Sequence, residues 1–168
     1  KFVLQEGNSR INLDKLIFKK KRLEKFNKIT VKTFKNNNLN NDFRIQFGKK
    51  ITIEGTKYDS SNLTKLLEEN NNSDFLKNIS KEISVNINEI DTKVSDLISN
   101  FSLIGNIING KFSKIVSKGE FYDNKYLEIS LRDDKSKKKK ILEIYSDLPK
   151  PLLSNYKFFS GLSGGQLL

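Results

Sequence analysis

"FRIQFGKKITI", Phe43 to Ile53, decides how the chain is read. Phe43, Ile45 and Phe47 alternate with Arg44 and Gln46, a glycine-lysine turn follows at Gly48, and Ile51 and Ile53 resume the alternation across Thr52. Side chains of a strand point to opposite faces in turn, so each run carries one apolar side and one wet side. Such strands belong to antiparallel sheet with one face solvated. The pattern recurs in "KITVKTF" (Ile29, Val31 and Thr33 against Lys28, Thr30 and Lys32), in "ISVNINEI" (Ile83, Val85, Ile87) and in "YLEISLRDD" (Leu127, Ile129, Leu131), and less cleanly in "RINL" and "ILEIYS". Turn residues separate the runs at Gly48, at Asn109-Gly110, at Asp123-Asn124 and over Arg132 to Lys140, so neighbouring strands can pair as a meander.

Two stretches break the alternation. In "YDSSNLTKLLEENN", Asp59 is a natural N-cap and Leu63, Leu66 and Leu67 have helical spacing, which predicts a short helix packing its leucines onto the sheet. In "SDLPKPLLSNYKFF", Asp147 precedes prolines that tolerate a helix start, and a brief helical turn would carry Leu152, Leu153 and Tyr156 inward. "SDLISNF", Ser95 to Phe101, fits helix or strand. The expected fold is therefore mainly β with short helices: an open, curved antiparallel sheet packed by one or two short helices, with no domain boundary within residues 1–168.

The 168 residues suffice for a sizeable core. The chain holds no Met and opens in mid-pattern, from which we expect a slice of a longer, repeat-like protein. No apolar run approaches the ~20 residues that span a bilayer, and any membrane anchor is expected outside this sequence. With neither Cys nor His, thiolate chemistry, the usual zinc sites and imidazole acid-base catalysis are excluded. The net charge of +11 suits a polyanion. However, "KNNNLNND" and "EENNNSD" show the Lys and Asn enrichment of an A/T-rich coding sequence, and "KSKKKK" at Lys135 to Lys140 reads as a solvated hairpin tip.

Two motifs hint at an ATPase. "GNIINGKF", Gly105 to Phe112, has the spacing of a phosphate-binding loop, and "LSGGQ" within Gly161 to Leu168 spells the signature loop of ABC-type ATPases. The first needs a Ser or Thr after its lysine to hold magnesium and must open a helix. Here Phe112 follows Lys111, and no helical spacing comes after it. The second needs a helical subdomain between the motifs, yet Lys111 to Asp147 alternates mostly as strand, so Gly164 and Gly165 read as a glycine turn. The adjacent carboxylates Asp133-Asp134 and Glu68-Glu69 have no apolar pocket to raise a pKa and read as solvated charge. No catalytic residue, metal ligand or cofactor is expected.

The order of elements resembles the AsmA-like superfamily of bacterial envelope proteins, in particular the C-terminal region of the YhdP and AsmA-like group, with TamB more distant. Three stretches carry the resemblance, from about Phe43 to the end. "ITIEGTKYDSSNLTKLLEENN" is similar to the family's strand, glycine, then Asp before a Leu-rich helix. "ISVNINEID" with "GKFSKIVSKGEFYDNKYLEISL" is similar to its run of amphipathic strands. "LEIYSDLPKPLLSNYKFFSGLSGGQLL" resembles the passage from a strand through a Leu-Leu helix to a glycine turn. Where members commonly have Asp-Ala-Gly, this chain has Asp147-Leu148-Pro149-Lys150-Pro151.

The resemblance implies a β-gutter, anchored in the inner membrane on the periplasmic side, that moves phospholipid toward the outer membrane without reaction chemistry. Its expected partners are acyl chains, a membrane and neighbouring repeats of the same chain. The expected lipid groove is the shared face of Phe43, Ile45, Phe47, Ile51, Ile53, Ile83, Val85, Ile87, Leu127, Ile129 and Leu131. The rival readings are a basic β-domain that binds nucleic acid and a structural β-repeat.

Overall fold

The computed structural model describes residues 1–19, 22–62, 78–92, 97–134 and 139–148. Among them the regular structure is entirely strand. A ten-stranded sheet, open and curved, runs in the spatial order β1 (Phe2–Glu6), β2 (Ser9–Asp14), β5 (Lys28–Lys35), β6 (Asn38–Phe47), β7 (Ile51–Asp59), β8 (Lys81–Asp91), β9 (Leu97–Ile108), β10 (Lys111–Glu120), β11 (Tyr126–Asp134) and β12 (Lys139–Ser146). A separate hairpin of β3 (Ile17–Lys19) and β4 (Arg22–Lys25) is inserted between β2 and β5.

The expected meander forms, with one correction. Every neighbouring pair in the large sheet is antiparallel except β7 and β8, which are parallel, so the sheet is mixed. Local alternation cannot distinguish the two senses of pairing. What separates them is the connection, because a parallel pair needs a crossover of about a dozen residues or more. Residues 60–80 provide it. The helix expected through Leu63, Leu66 and Leu67 falls in this crossover, and the one expected through Leu152, Leu153 and Tyr156 falls after β12; both lie outside the described residues. Asp59 ends β7, and its carboxylate accepts a hydrogen bond from the Ser61 amide at 3.0 Å, an Asx turn that leads the chain out of the sheet.

The turns follow their residues. Asn109 and Gly110 have φ of 51° and 75°, and Asp123 and Asn124 have 56° and 55°, the left-handed values that two-residue hairpin turns require and that Asn, Asp and Gly adopt most readily. "GNIINGKF" is thus the end of β9, a tight turn and the start of β10. Its glycines cradle no helix N-terminus. Of "SDLISNF", the part from Leu97 to Phe101 is strand, the start of β9.

The core lies on one side of the sheet. Ile98, Phe121 and Leu127 are buried together, and Ile90, Phe101, Ile129, Ile144 and Leu148 pack around them. These residues come from β8, β9, β11, β12 and two adjoining loops, which meet because the sheet curls toward its apolar face. At the other end of the strands, Phe26 is buried and sets its ring edge-on to Phe47, with centroids 4.1 Å apart, near buried Ile51 and Ile83.

Candidate functional site: an apolar face between two unlike rims

The strand register decides which side chains share a face, because directly paired residues point the same way. Phe43, Ile45 and Phe47 pair with Gly55, Ile53 and Ile51. Ile51, Ile53 and Gly55 pair with Ile83, Val85 and Ile87. Those three pair with Gly105, Leu103 and Phe101 on β9. Gly105 and Leu103 pair with Ile115 and Ser117 on β10, which pair with Leu131 and Ile129, while Gly119 pairs with Leu127. All eleven residues expected in the groove therefore lie on one face of the sheet.

That face extends beyond them. Ile29 and Val31 of β5 pair with Ile45 and Phe43, Leu13 and Ile11 of β2 pair with those, and Phe2 and Leu4 of β1 complete the row. At the far side, Ile144 and Leu142 of β12 pair with Ile129 and Leu131. A largely apolar face, broken only by small residues such as Gly55, Gly105, Ser117 and Gly119, thus crosses the whole sheet.

Glycines make the curl feasible where β-carbons would collide. A methyl group at Gly55 would lie 2.4 Å from Phe43 Cβ, and one at Gly119 would lie 2.6 Å from Ile98 Cγ2. Ser117, also on this face, is buried and donates its hydroxyl to the Ile129 carbonyl at 3.2 Å.

The alternation slips by one residue along a line across three strands. Asp42 and Phe43 pair with Lys57 and Gly55, which makes Thr56 an extra residue in β7. Asn100, with φ of 51°, is likewise extra in β9 relative to β10, and the pairings of β8 place Asn88 between them. Past this crease the inward positions change parity. Tyr58, Ile90 and Ile98 pair in register, Tyr58 meets the Phe43 ring edge-on at 5.6 Å, and Ile90 and Ile98 join the core. The spacing Ile83, Val85, Ile87, Ile90 carries this slip in the sequence. A second bulge at Ser113 leaves Phe112, which pairs with Ile107, on the same inner face as Ile115.

The outer face is polar and braced across strands. Arg44 pairs with and bonds Glu54, and Arg132 holds Glu143 with contacts of 2.8 and 3.2 Å. The Arg132 guanidinium holds the Glu143 carboxyl below its ordinary pKa. Ile104 and Val116, paired with each other on this face, are exposed.

The two ends of the strands differ in charge. One rim is richer in lysines, with Lys49, Lys50, Lys81, Lys111, Lys139 and Lys140, although Asp14, Asp133 and Asp134 also end strands there. The other collects carboxylates: Glu6, Asp59, Asp91, Glu120, Asp123 and Asp147. On the carboxylate rim an open cleft of about 1000 Å³ is lined mainly by polar residues, among them Lys35, Asn40, Lys57, Asp59 and Asp91. Burial alone would lower the Lys57 pKa, but Asp91 at 3.2 Å and Glu89 at 3.5 Å raise it above the ordinary lysine value. Asp59 is the reverse case. Burial pushes its pKa up, while hydrogen bonds from Ser61 and Asn40 and the charge of Lys35 bring it below the ordinary carboxylate value.

Sequence reasoning missed Phe101, Leu103, Phe112, Ile115, Leu142 and Ile144 as members of the inner face. In β9 and β10 the signal is masked, because Ile104 and Val116 supply apolar residues of the wrong parity and Gly105, Ser117 and Gly119 stand at inward positions. Among the described residues, no group of His, Cys, Asp or Glu is arranged to hold a metal ion. Compared with known proteins, the chain matches no family model, and neither a curated protein nor a solved structure matches it.

Proposed function

We propose that this chain is a lipid-binding segment of an AsmA-like envelope protein, and that its apolar face carries phospholipid acyl chains without chemical conversion. The single observation that supports this reading is the largely apolar inner face that extends over all ten strands, from Phe2 and Leu4 on β1 to Leu142 and Ile144 on β12, with only small residues such as Gly55, Gly105, Ser117 and Gly119 between. Parts of it are open to solvent: Phe2, Leu4, Phe112 and Leu142 are 49%, 51%, 41% and 58% exposed. Apolar surface of this extent is costly in water and calls for a partner. An acyl chain fits it well, since it needs only a smooth apolar track and no hydrogen-bond donors. In this reading the protein sits on the periplasmic side of the inner membrane through an anchor beyond these residues, and the face continues into neighbouring repeats.

The nucleic-acid reading has the net charge in its favour, but it also needs aromatic rings alongside the cations to stack bases. Tyr126 and Tyr122 do lie beneath the ammonium groups of Lys118 and Lys125, but Phe43, Phe47 and Phe101 share the inner face with Ile, Val and Leu. Mass spectrometry of lipids that co-purify with the protein from bacterial membranes tests the proposal. Bound phospholipid is expected. Its absence, together with salt-sensitive retention of DNA or RNA, would replace the lipid reading with the nucleic-acid one.

A further inference from the structure

Asp14 at the end of β2 pairs directly with Lys28 at the start of β5, so a short turn would suffice to join these strands. The chain instead leaves the large sheet over residues 15–27, whose sequence is "KLIFKKKRLEKFN". This excursion is the β3–β4 hairpin, a two-stranded sheet of its own. Its foot is fixed: the Asn27 amide donates to the Asp14 carbonyl at 3.1 Å, the Phe47 amide donates to the Asn27 carbonyl at 2.7 Å, and buried Phe26 packs on Phe47. Beyond the foot, Phe18 pairs with Leu23 and Lys19 with Arg22. Successive positions of a strand belong to opposite faces, so an apolar pair and a cationic pair occupy the two faces of the ribbon. Ile17, at the start of β3, is 48% exposed, and Lys15 before it is exposed. Glu24 is the one carboxylate in the sequence of the excursion. Beside the foot, exposed Lys49 and Lys50 follow Phe47, and Lys81 donates to the Gly48 carbonyl; Asp14 and Glu82 are the carboxylates there.

We infer that this hairpin docks the lysine-rich end of the sheet onto the surface of an anionic lipid bilayer, with its apolar positions entering the head-group layer and its cations against lipid phosphates. The inference stands apart from the acyl-chain reading, since it needs no lipid on the inner face. Composition separates a bilayer from other polyanions. Binding at a membrane interface needs apolar side chains to bury as well as charge, and Leu16, Ile17, Phe18 and Leu23 flank the basic run. Nucleic acid calls for aromatic rings among the cations, whereas three of these four residues are aliphatic. Each Lys or Arg brought to an anionic surface strengthens binding about fivefold. Several acting together hold a protein there without a membrane-spanning helix.

The experiment is co-sedimentation with vesicles of phosphatidylcholine, alone or mixed with phosphatidylglycerol, for the wild type, K19Q/R22Q, Ile17→Asp and the control K35Q/K118Q. The control removes the same charge toward the opposite end of the strands. Circular dichroism confirms that each variant is folded. The wild type is expected to bind the anionic vesicles and not the neutral ones, and to release them as salt rises. K19Q/R22Q should weaken that binding about twentyfold or more, Ile17→Asp should weaken it at every salt concentration, and the control should stay within about twofold of the wild type. A loss as large in the control as in K19Q/R22Q would reduce the attraction to net charge and overturn the inference, as would an Ile17→Asp protein that binds like the wild type. Failure of the wild type to bind anionic vesicles would also overturn it, and retention of an RNA oligonucleotide that K19Q/R22Q abolishes would then assign the hairpin to nucleic acid. Vesicle attachment reads the hairpin and lipid co-purification reads the inner face, so either reading can fail without the other.

Discussion

The two halves of the sheet, β1 to β7 and β8 to β12, obey the same alternation and end differently. In the second half the sheet curls until Ile98 of β9, Leu127 of β11 and Ile144 of β12 pack into one cluster, capped by Phe121 and Leu148. In the first half the same kind of inward residue is left bare at the edge, with Phe2 and Leu4 about half exposed. The difference traces to small residues. The second half has Gly105, Ser117, Gly119 and Ser146 at inward positions, whereas β1 and β2 place Phe2, Leu4, Ile11 and Leu13 there. An apolar alternation therefore specifies a face, and small residues such as Gly105, Ser117, Gly119 and Ser146 let that face close around Ile98, Phe121 and Leu127, while it stays open at Phe112 and Leu142 toward the other end of the strands.

This contrast can be broken most severely at Leu127, which is only 2% exposed. Leu127→Ala should cost about 3 kcal/mol in chemical denaturation, through lost burial and a residual cavity. Next comes Gly119→Ala, whose new methyl would press on Ile98 and cost about 2 kcal/mol by overpacking. A loss below about 0.5 kcal/mol would mean that the close approach of β9 and β10 does not set the curl.

Asp59, at the crossover that joins the halves, has a smaller effect, under about 1 kcal/mol after allowance for its partial exposure. Its pKa is lowered by folding, so its contribution is present above the ordinary carboxylate pKa and is lost as pH falls through the depressed folded value. The stability gap between wild type and Asp59→Asn should therefore be widest at neutral pH and narrow on acidification; a gap that widens as pH falls would contradict the assignment. The smallest effect belongs to Leu4→Ala, which should change stability by less than about 0.5 kcal/mol while reducing lipid retention. Stability loss comparable to that of Leu127→Ala would show that the first half has a closed core after all.

Much of this was legible in the sequence, because strand and face follow directly from period two. Phe43 to Ile53, Ile83 to Ile87 and Leu127 to Leu131 fall on a common face as their alternation predicts, and Asn109-Gly110 turns as its residues require. The parallel joining of β7 to β8 was not legible, since it depends on where the crossover delivers the chain. The crease at Thr56, Asn88 and Asn100 has no proline to mark it and shows in the sequence only in the step of three from Ile87 to Ile90 and in Asn100, the residue type that tolerates its backbone. The apolar face was half-read for a related reason. Its β9 and β10 walls are built from glycine and serine beside outward-facing Ile104 and Val116, so hydrophobicity alone points the wrong way there. The position of Lys140 needed the register, which places that lysine on the inner face with Leu142.

Site-specific photocrosslinking in native membranes tests the central claim most directly. A photoreactive residue at Val85, Ile129 or Leu142 faces inward, and one at Glu128, next to Ile129 on the same strand, faces outward. Phospholipid adducts are expected at the inward positions, most abundantly at exposed Leu142, and only at background level at Glu128. Equal labelling of Ile129 and Glu128, or no labelling at Val85, Ile129 and Leu142, would contradict the claim that this face carries acyl chains.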